Sequence, residues 1–351
     1  MAIDNIRLQN FRSYQDNTFE FEDGVNIIVG ANASGKTNLI EAILVLCRGN
    51  SYRAGDRDLL QHQNSWARVD GSIHGQKRSV KLKLQHETVS KECVINGTVF
   101  KRLSMPRTVP AVVFEPNHLR LLTESPEPRR SFVDDIIEQT IPSFGIIRRQ
   151  YKRALTQRNS LLKQDFLPNQ MFVWNIRLSE LGGQVAGHRI AFIDNNQRQL
   201  GEIYNKLAGK KTPISMTYET KLDSQSYGNA MLNELEKRTI IDRERGFTSV
   251  GPHRDDIGLF IGGYSLATTA SRGETRTILL ALKLLEVQSL ENARGEKPIL
   301  LLDDVFGELD GARRLALTEY LRDHQTFITT TDADIVVQHF LNNCTVIPTG
   351  S

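Results

Sequence analysis

The sequence predicts an α/β protein whose two parallel or mixed sheet portions are separated by a helical insertion. Three observations carry this reading. A glycine-rich G-x-x-x-x-G-K-T loop follows an apolar, strand-like run near the N-terminus, and a second apolar run ends in two carboxylates near the C-terminus. Between them, apolar residues recur at helical spacing. The length of 351 residues suits two domains, or one large domain carrying an insertion. The boundaries fall at residues 1–115 for the first part, 116–245 for the insertion and 246–351 for the last part.

Taken in order, the opening segment alternates apolar and polar residues at Ile6, Leu8, Phe19 and Phe21, and Val25-Asn26-Ile27-Ile28-Val29 reads as a buried strand. Gly30-Ala31-Asn32-Ala33-Ser34-Gly35-Lys36-Thr37 follows at once, and Ile40, Ile43, Leu44 and Leu46 then repeat as a helix would. Strand, loop and helix in this order form a phosphate cradle, because glycine lets backbone N–H groups wrap an anion at a helix N-terminus. Gly30 to Thr37 and the adjoining Asn38 are therefore candidate ATP ligands. Lys36 would reach the β- and γ-phosphates, and the Thr37 hydroxyl would hold Mg²⁺.

Ile299-Leu300-Leu301-Leu302-Asp303-Asp304 is an apolar run delivering two carboxylates, as a buried parallel strand does at its C-terminal edge. In this Walker B pattern Asp303 would hold the Mg²⁺ shell and Asp304 would orient or deprotonate the attacking water, so Lys36, Asp303 and Asp304 are the candidate catalytic residues. Thr269-Ala270-Ser271-Arg272-Gly273-Glu274 precedes a long amphipathic stretch from Thr277 to Leu290 and describes a second phosphate-binding helix start. The Walker loop already serves this chain's own nucleotide, so Ser271, Gly273 and Glu274 point to the nucleotide of a second copy.

Composition narrows the class. With 39% apolar and 24% charged residues the chain reads as globular, and 44 Lys+Arg against 41 Asp+Glu give a net charge of +3, which permits an anionic partner without demanding one. The longest apolar run, Ala42 to Cys47, is far too short to span a bilayer, and Asp4, Arg7, Arg12, Asp16 and Glu20 leave no room for a secretory signal. The expected compartment is the cytoplasm. Cys47, Cys93 and Cys344 lack metal or redox spacing and read as reduced thiols.

These motifs together resemble the ABC-type ATPase heads, in which Walker A, signature, Walker B and D-loop are assembled across a dimer. Glu308-Leu309-Asp310 resembles the D-loop, and Leu8-Gln9-Asn10-Phe11-Arg12-Ser13-Tyr14 resembles the N-terminal strand of the chromosome-maintenance heads. Arg12 and Asp310 join the nucleotide-site candidates on this resemblance. More narrowly, Phe114-Glu115-Pro116, the segment Ser125-Pro126-Glu127-Pro128-Arg129-Arg130 and the element Gly251-Pro252-His253-Arg254-Asp255-Asp256 are similar to segments of the RecF family. The resemblance implies ATP and Mg²⁺ as cofactors, an ATP-dependent homodimer, and binding to duplex DNA and single-strand/duplex junctions. It also implies recombinase loading at gaps, with RecR and RecO in the same pathway. Glu274 stands where the general signature has Gln, Asp304 where many relatives have Glu, and Thr331 near the place of a switch histidine. The shorter Asp304 side chain implies slow turnover.

No heptad pattern is sustained between Gly30 and Ser271, which excludes long coiled-coil arms. The middle instead predicts helices over 132–139, 144–163, 173–209 and 230–245, separated at Pro142, Pro168 and Pro213. The second carries Arg148, Arg149, Lys152, Arg153, Arg158 and Lys163 with no acidic residue, and its spacing predicts a basic face for DNA phosphates. Tyr151 is its only aromatic after Phe144, so contacts to the duplex backbone are expected rather than base stacking. His253 and Arg254 also fit a charged turn held by Asp255 or Asp256.

Overall fold

The computed structural model describes residues 2–115, 120–164, 168–340 and 344–349. The chain opens with β1 (Ile3–Phe11), β2 (Tyr14–Glu20), β3 (Val25–Val29), α1 (Lys36–Arg48), β4 (Trp66–Ile73), β5 (Gln76–Gln85), β6 (Thr88–Ile95), β7 (Thr98–Phe100) and β8 (Ala111–Phe114). It continues through α2 (Arg120–Thr123), α3 (Pro126–Thr140), α4 (Phe144–Leu162), α5 (Pro168–Ala208), β9 (Ile214–Glu219), α6 (Tyr227–Lys237), α7 (Thr239–Arg245), β10 (Asp256–Ile261) and β11 (Tyr264–Ser265). The last elements are α8 (Leu266–Thr269), α9 (Arg272–Arg294), β12 (Ile299–Leu302), α10 (Gly311–Leu321), β13 (Thr326–Thr330), α11 (Ala333–Val337) and β14 (Cys344–Pro348). Two compact units result, one of Met1–His118 with Glu286–Ser351 and one of Leu119–Leu285.

The first unit contains a six-stranded antiparallel sheet in the order β2-β1-β4-β5-β6-β7 and a five-stranded parallel sheet in the order β14-β3-β13-β12-β8. Helix α1 shares one core with both: Leu39, Ile40, Ile43, Leu44 and Leu46 cluster with Ile6 and Leu8 of β1, Val80 of β5, Ile28 of β3 and Phe327 of β13. A helix with sheet on both flanks has little use for a polar face, which is why 42–47 is an unbroken apolar run. Strand β13 is not the last. Cys344–Pro348 adds β14 in parallel to β3 at the sheet edge, where a terminal proline costs no ladder bond.

The second unit is helical with a small sheet, β11-β10-β9, and its core gathers Tyr151 and Ala154 of α4, Leu178 and Leu181 of α5, and Met231 and Leu235 of α6. Pro168, read as a break, instead opens α5, as Pro126 opens α3, since proline fits the first helical turn. The helix expected over 230–245 resolves into α6 and α7 around Arg238. After Pro213 comes strand β9, which pairs antiparallel with β10 from Ile214↔Ile261 to Glu219↔Asp256. Residues 246–285 cluster with the insertion, and the first unit resumes at Glu286, part-way along α9.

Candidate nucleotide site

All neighbours in the five-stranded sheet are parallel, so β3, β13, β12 and β8 deliver their C-termini to one edge. Ligands of open α/β sheets bind at that edge. The 30–37 loop leaves β3 there, and Asp303 leaves β12, its N–H donating to the Phe114 carbonyl of β8 at 2.9 Å. Two glycines of the loop have distinct reasons. A Cβ at Gly30 would lie 2.6 Å from the Thr349 carbonyl oxygen, and Gly35 has φ +99° with the Tyr14 hydroxyl 2.9 Å from where its Cβ would stand.

Lys36 is nearly buried and curls back over the loop, its Nζ donating to the Gly30 and Ala31 carbonyls at 2.8 and 2.9 Å. Ser34 shares a hydroxyl–hydroxyl contact of 2.9 Å with Thr349. The Thr37 hydroxyl donates to Asp303 Oδ1 at 2.9 Å, bringing the two proposed cation ligands together from the ends of the chain. A hydroxyl and a carboxylate suit Mg²⁺, which prefers oxygen, takes few protein ligands and completes its shell with water and phosphate. Among the described residues no group of three or more His, Cys, Asp or Glu could hold a metal alone. Thr329 of β13 supports Asp303 Oδ1 at 2.9 Å and accepts the Asp304 N–H at 2.9 Å. Asp304 itself adopts φ +52°, a left-handed conformation that Asp tolerates better than most residues.

Arg12 is held by the helix that follows the loop. Its guanidinium grips the fully buried Glu41 of α1 at 2.8 and 3.0 Å, with Arg53 joining at 3.1 Å. Burial alone would raise the Glu41 carboxyl, but the hydrogen bonds from Arg12, Arg53 and Ser51 outweigh it and hold the group below its ordinary value. Asn38 bridges Ser13 and Arg53 at 2.9 Å each.

Ser271, Gly273 and Glu274 lie in the second unit at the start of α9. The Glu274 carboxylate accepts the Ser271 N–H at 3.1 Å and the Ser271 hydroxyl at 2.9 Å, while the Glu274 N–H donates back to Ser271 Oγ at 3.3 Å. This is a capping box. The Ser271 N–H, its hydroxyl and Lys210 hold the Glu274 carboxyl below its usual range. Asp310 caps α10, accepting the Arg313 N–H at 3.0 Å and pairing with its guanidinium. The Glu308 side chain and Pro116 lie outside the described residues. Thr331 is exposed at the end of β13.

Comparison with known proteins places this geometry. The family model of the RecF/RecN/SMC N-terminal domain matches residues 2–347. The DNA replication and repair protein RecF of Halalkalibacterium halodurans is 35% identical over 359 residues, covering 99% of this chain and 97% of that protein. The chain belongs to the RecF family. A solved structure of the recombination mediator protein RecF-ATPrS in the RecFOR pathway superposes with a TM-score of 0.87 at 28% identity, covering 99% of this chain and 96% of that one. The Smc head domain of Pyrococcus furiosus, with an extended coiled coil and bound to the C-terminal domain of ScpA, shares the fold at a TM-score of 0.54 and 17% identity, covering 99% and 92%. The α/β head is thus of the ABC type shared by RecF and Smc proteins.

Two of the three RecF-like segments singled out by sequence meet inside the second unit. Arg129 forms a two-pronged ion pair with Asp256 at 2.9 and 2.7 Å, and Arg130 donates to the Asp255 carbonyl at 2.6 Å. Asp255 accepts hydroxyls from Tyr218 and Tyr227, and Arg189 ties the Pro252 carbonyl to Asp134. The turn expected at His253 and Arg254 is present, closed by the Arg254 N–H on the Gly251 carbonyl at 2.8 Å, but neither Asp255 nor Asp256 holds the imidazole: Tyr151 Oη lies 2.6 Å from Nδ1 and the Thr248 carbonyl 3.1 Å from Nε2, partners that suit a neutral ring with its proton on Nε2. Burial, with Arg254, Arg130 and Arg158 adding to it against the Thr248 hydrogen bond, lowers His253 from 6.5 to about 4. The unfolded chain therefore takes up this proton first as pH falls, and stability drops between about pH 6.5 and 4 by roughly 3 kcal/mol. His253→Gln is expected to flatten that part of the stability–pH curve, read from urea midpoints at pH 7 and 4.5. Parallel curves for the two proteins would refute the assignment.

Part of the basic face of α4 is spent within the protein. Arg148 pairs with Asp134, Asp135 and Glu138, Arg149 lies 3.6 Å from Glu138, and Arg158 is fully buried against Asp242. The helix lacks acidic residues, but α3, packed beside it, supplies Asp134, Asp135 and Glu138. Arg149, Lys152, Arg153 and Lys163 remain exposed. The four-cation DNA stripe expected from spacing is reduced to Arg149, Lys152 and Arg153, with Arg149 touching Glu138 only at the exposed surface.

Proposed function

We propose that this RecF-family protein is a slow, DNA-dependent ATPase that binds ATP with Mg²⁺ and dimerises on it. The dimer holds DNA, including single-strand/duplex junctions, and opens on hydrolysis. It serves recombinational repair and replication-fork maintenance by helping to load recombinase at single-strand gaps, with RecR and RecO in its pathway. The observation that carries this reading is the 2.9 Å contact between Thr37 and Asp303, which joins a complete phosphate loop to the carboxylate strand. Lys36 and the loop N–H groups bind the phosphates, and Thr37 and Asp303 would hold the Mg²⁺ that neutralises their charge. Asp304 orients the attacking water. Ser271 and Gly273 face the nucleotide of a second copy, which requires the Glu274 carboxylate to yield the Ser271 donors.

Sedimentation with and without ATP and DNA tests the reading, since it requires a shift to dimer with ATP; a monomer under all conditions would overturn it. Asp304→Asn keeps a side chain that accepts the left-handed backbone but removes the charge. It is expected to retain the ATP-bound dimer while single-turnover hydrolysis falls by about 10²–10⁴, the usual worth of a positioned acid–base group. Hydrolysis at the wild-type rate would assign the role to another group.

A further inference from the structure

We infer that Tyr52 is a positioning residue for the cation site, holding the Asp303 carboxylate so that one oxygen stays turned toward Thr37. The inference rests on the nucleotide-site reading above and adds a residue that no motif contains. Asp303 is held by three hydroxyls from three places in the fold. Oδ1 receives Thr37 of α1 and Thr329 of β13, both at 2.9 Å, and Oδ2 receives Tyr52 Oη at 3.4 Å. Thr37 is a proposed cation ligand and must exchange its hydrogen bond with Asp303 for the metal. Thr329 and Tyr52 are not ligands, and they remain to fix the plane of the carboxylate. Tyr52 is the only described hydrogen-bond donor to Oδ2.

The loop that carries Tyr52 is built to hold it there. Ser51 Oγ donates to Glu41 and accepts the N–H groups of Arg53 and Ala54 at 3.1 and 3.2 Å. Arg53 reaches Asn38 at 2.9 Å and Glu41 at 3.1 Å. Residues 51–54 are thereby strapped to α1, the helix that also presents Lys36 and Thr37, and the Tyr52 ring packs against the core shared by α1 and both sheets. Losing a group that orients a metal ligand through its second atom typically costs roughly 10–100-fold in metal affinity.

Tyr52→Phe keeps the ring and deletes the donor. Mn²⁺ serves as the probe, its uptake with ATP measured by electron paramagnetic resonance on the full chain. The expected result is about tenfold weaker Mn²⁺ affinity, at the lower end for supporting hydrogen bonds. ATP binding in EDTA and the cation-free melting midpoint should match wild type. Wild-type Mn²⁺ affinity in the variant overturns the inference alone. Loss of ATP binding in EDTA as well would make Tyr52 a structural residue and also overturns it. Wild-type protein that takes up no Mn²⁺ with ATP would instead overturn the nucleotide-site reading itself.

Discussion

Lys36→Ala is expected to lose nucleotide binding and, with it, ATP-dependent retention on DNA. The side chain is nearly buried at the mouth of the loop, and its ammonium already sits 2.8 and 2.9 Å from two loop carbonyls, where it can turn to the β- and γ-phosphates without a change of backbone. A hydrogen bond to a charged group is worth about 1.5–3 kcal/mol, so losing two such contacts weakens ATP binding by roughly a hundredfold or more. Calorimetric titration of ATP reads this directly. Lys36→Arg separates charge from shape: it keeps the cation but substitutes a planar fork for a compact ammonium, and should recover only part of the affinity. Unchanged affinity in Lys36→Ala would show that the loop does not bind phosphate.

What the sequence made legible about this site was local in the chain. The phosphate loop declares itself because strand, glycines, lysine and helix are consecutive, and Asp303 declares itself because four apolar residues precede it. Both land on one sheet edge. The parts that escaped depend on partners far away. Strand β9 is six residues of alternating burial between helices, and only its pairing with β10 marks it as a strand and moves residues 246–285 into the second unit. Tyr52 belongs to no motif, and its partner Asp303 is 251 positions distant. Arg12 sits in a stretch resembling the chromosome-maintenance heads, yet its guanidinium serves Glu41, a carboxylate that reads in sequence as an ordinary helix residue. Charge spacing misleads for the same reason, because a helix's own residues do not reveal the acids its neighbours bring.

Arg158 shows this most sharply, and its loss should be among the most destabilising single changes in the second unit. In sequence it is one of six cations between Phe144 and Lys163; in the structure it is fully buried. It donates to Asn175 Oδ1, Asp242 Oδ2 and Thr248 Oγ1 at 2.8 Å each, and to the Leu235 carbonyl at 3.3 Å, linking α4 with α5, α6 and α7. Asp242 uses its other oxygen to accept the Ser249 N–H at 3.1 Å. Arg158→Ala leaves Asp242 charged, buried and without its guanidinium, a defect that costs about 3–5 kcal/mol. On a unit of this size the melting midpoint should fall on the order of 10 °C. The double variant Arg158→Met, Asp242→Leu removes both charges and should regain much of the loss, since well-packed apolar pairs replace buried ion pairs at little cost. Calorimetric melts of wild type, single and double variants decide it: if Arg158→Ala melts with the wild type, Asp242 finds compensation elsewhere, and if the double variant is as unstable as the single, the hydrogen bonds to Asn175, Thr248 and Leu235 matter more than the charge.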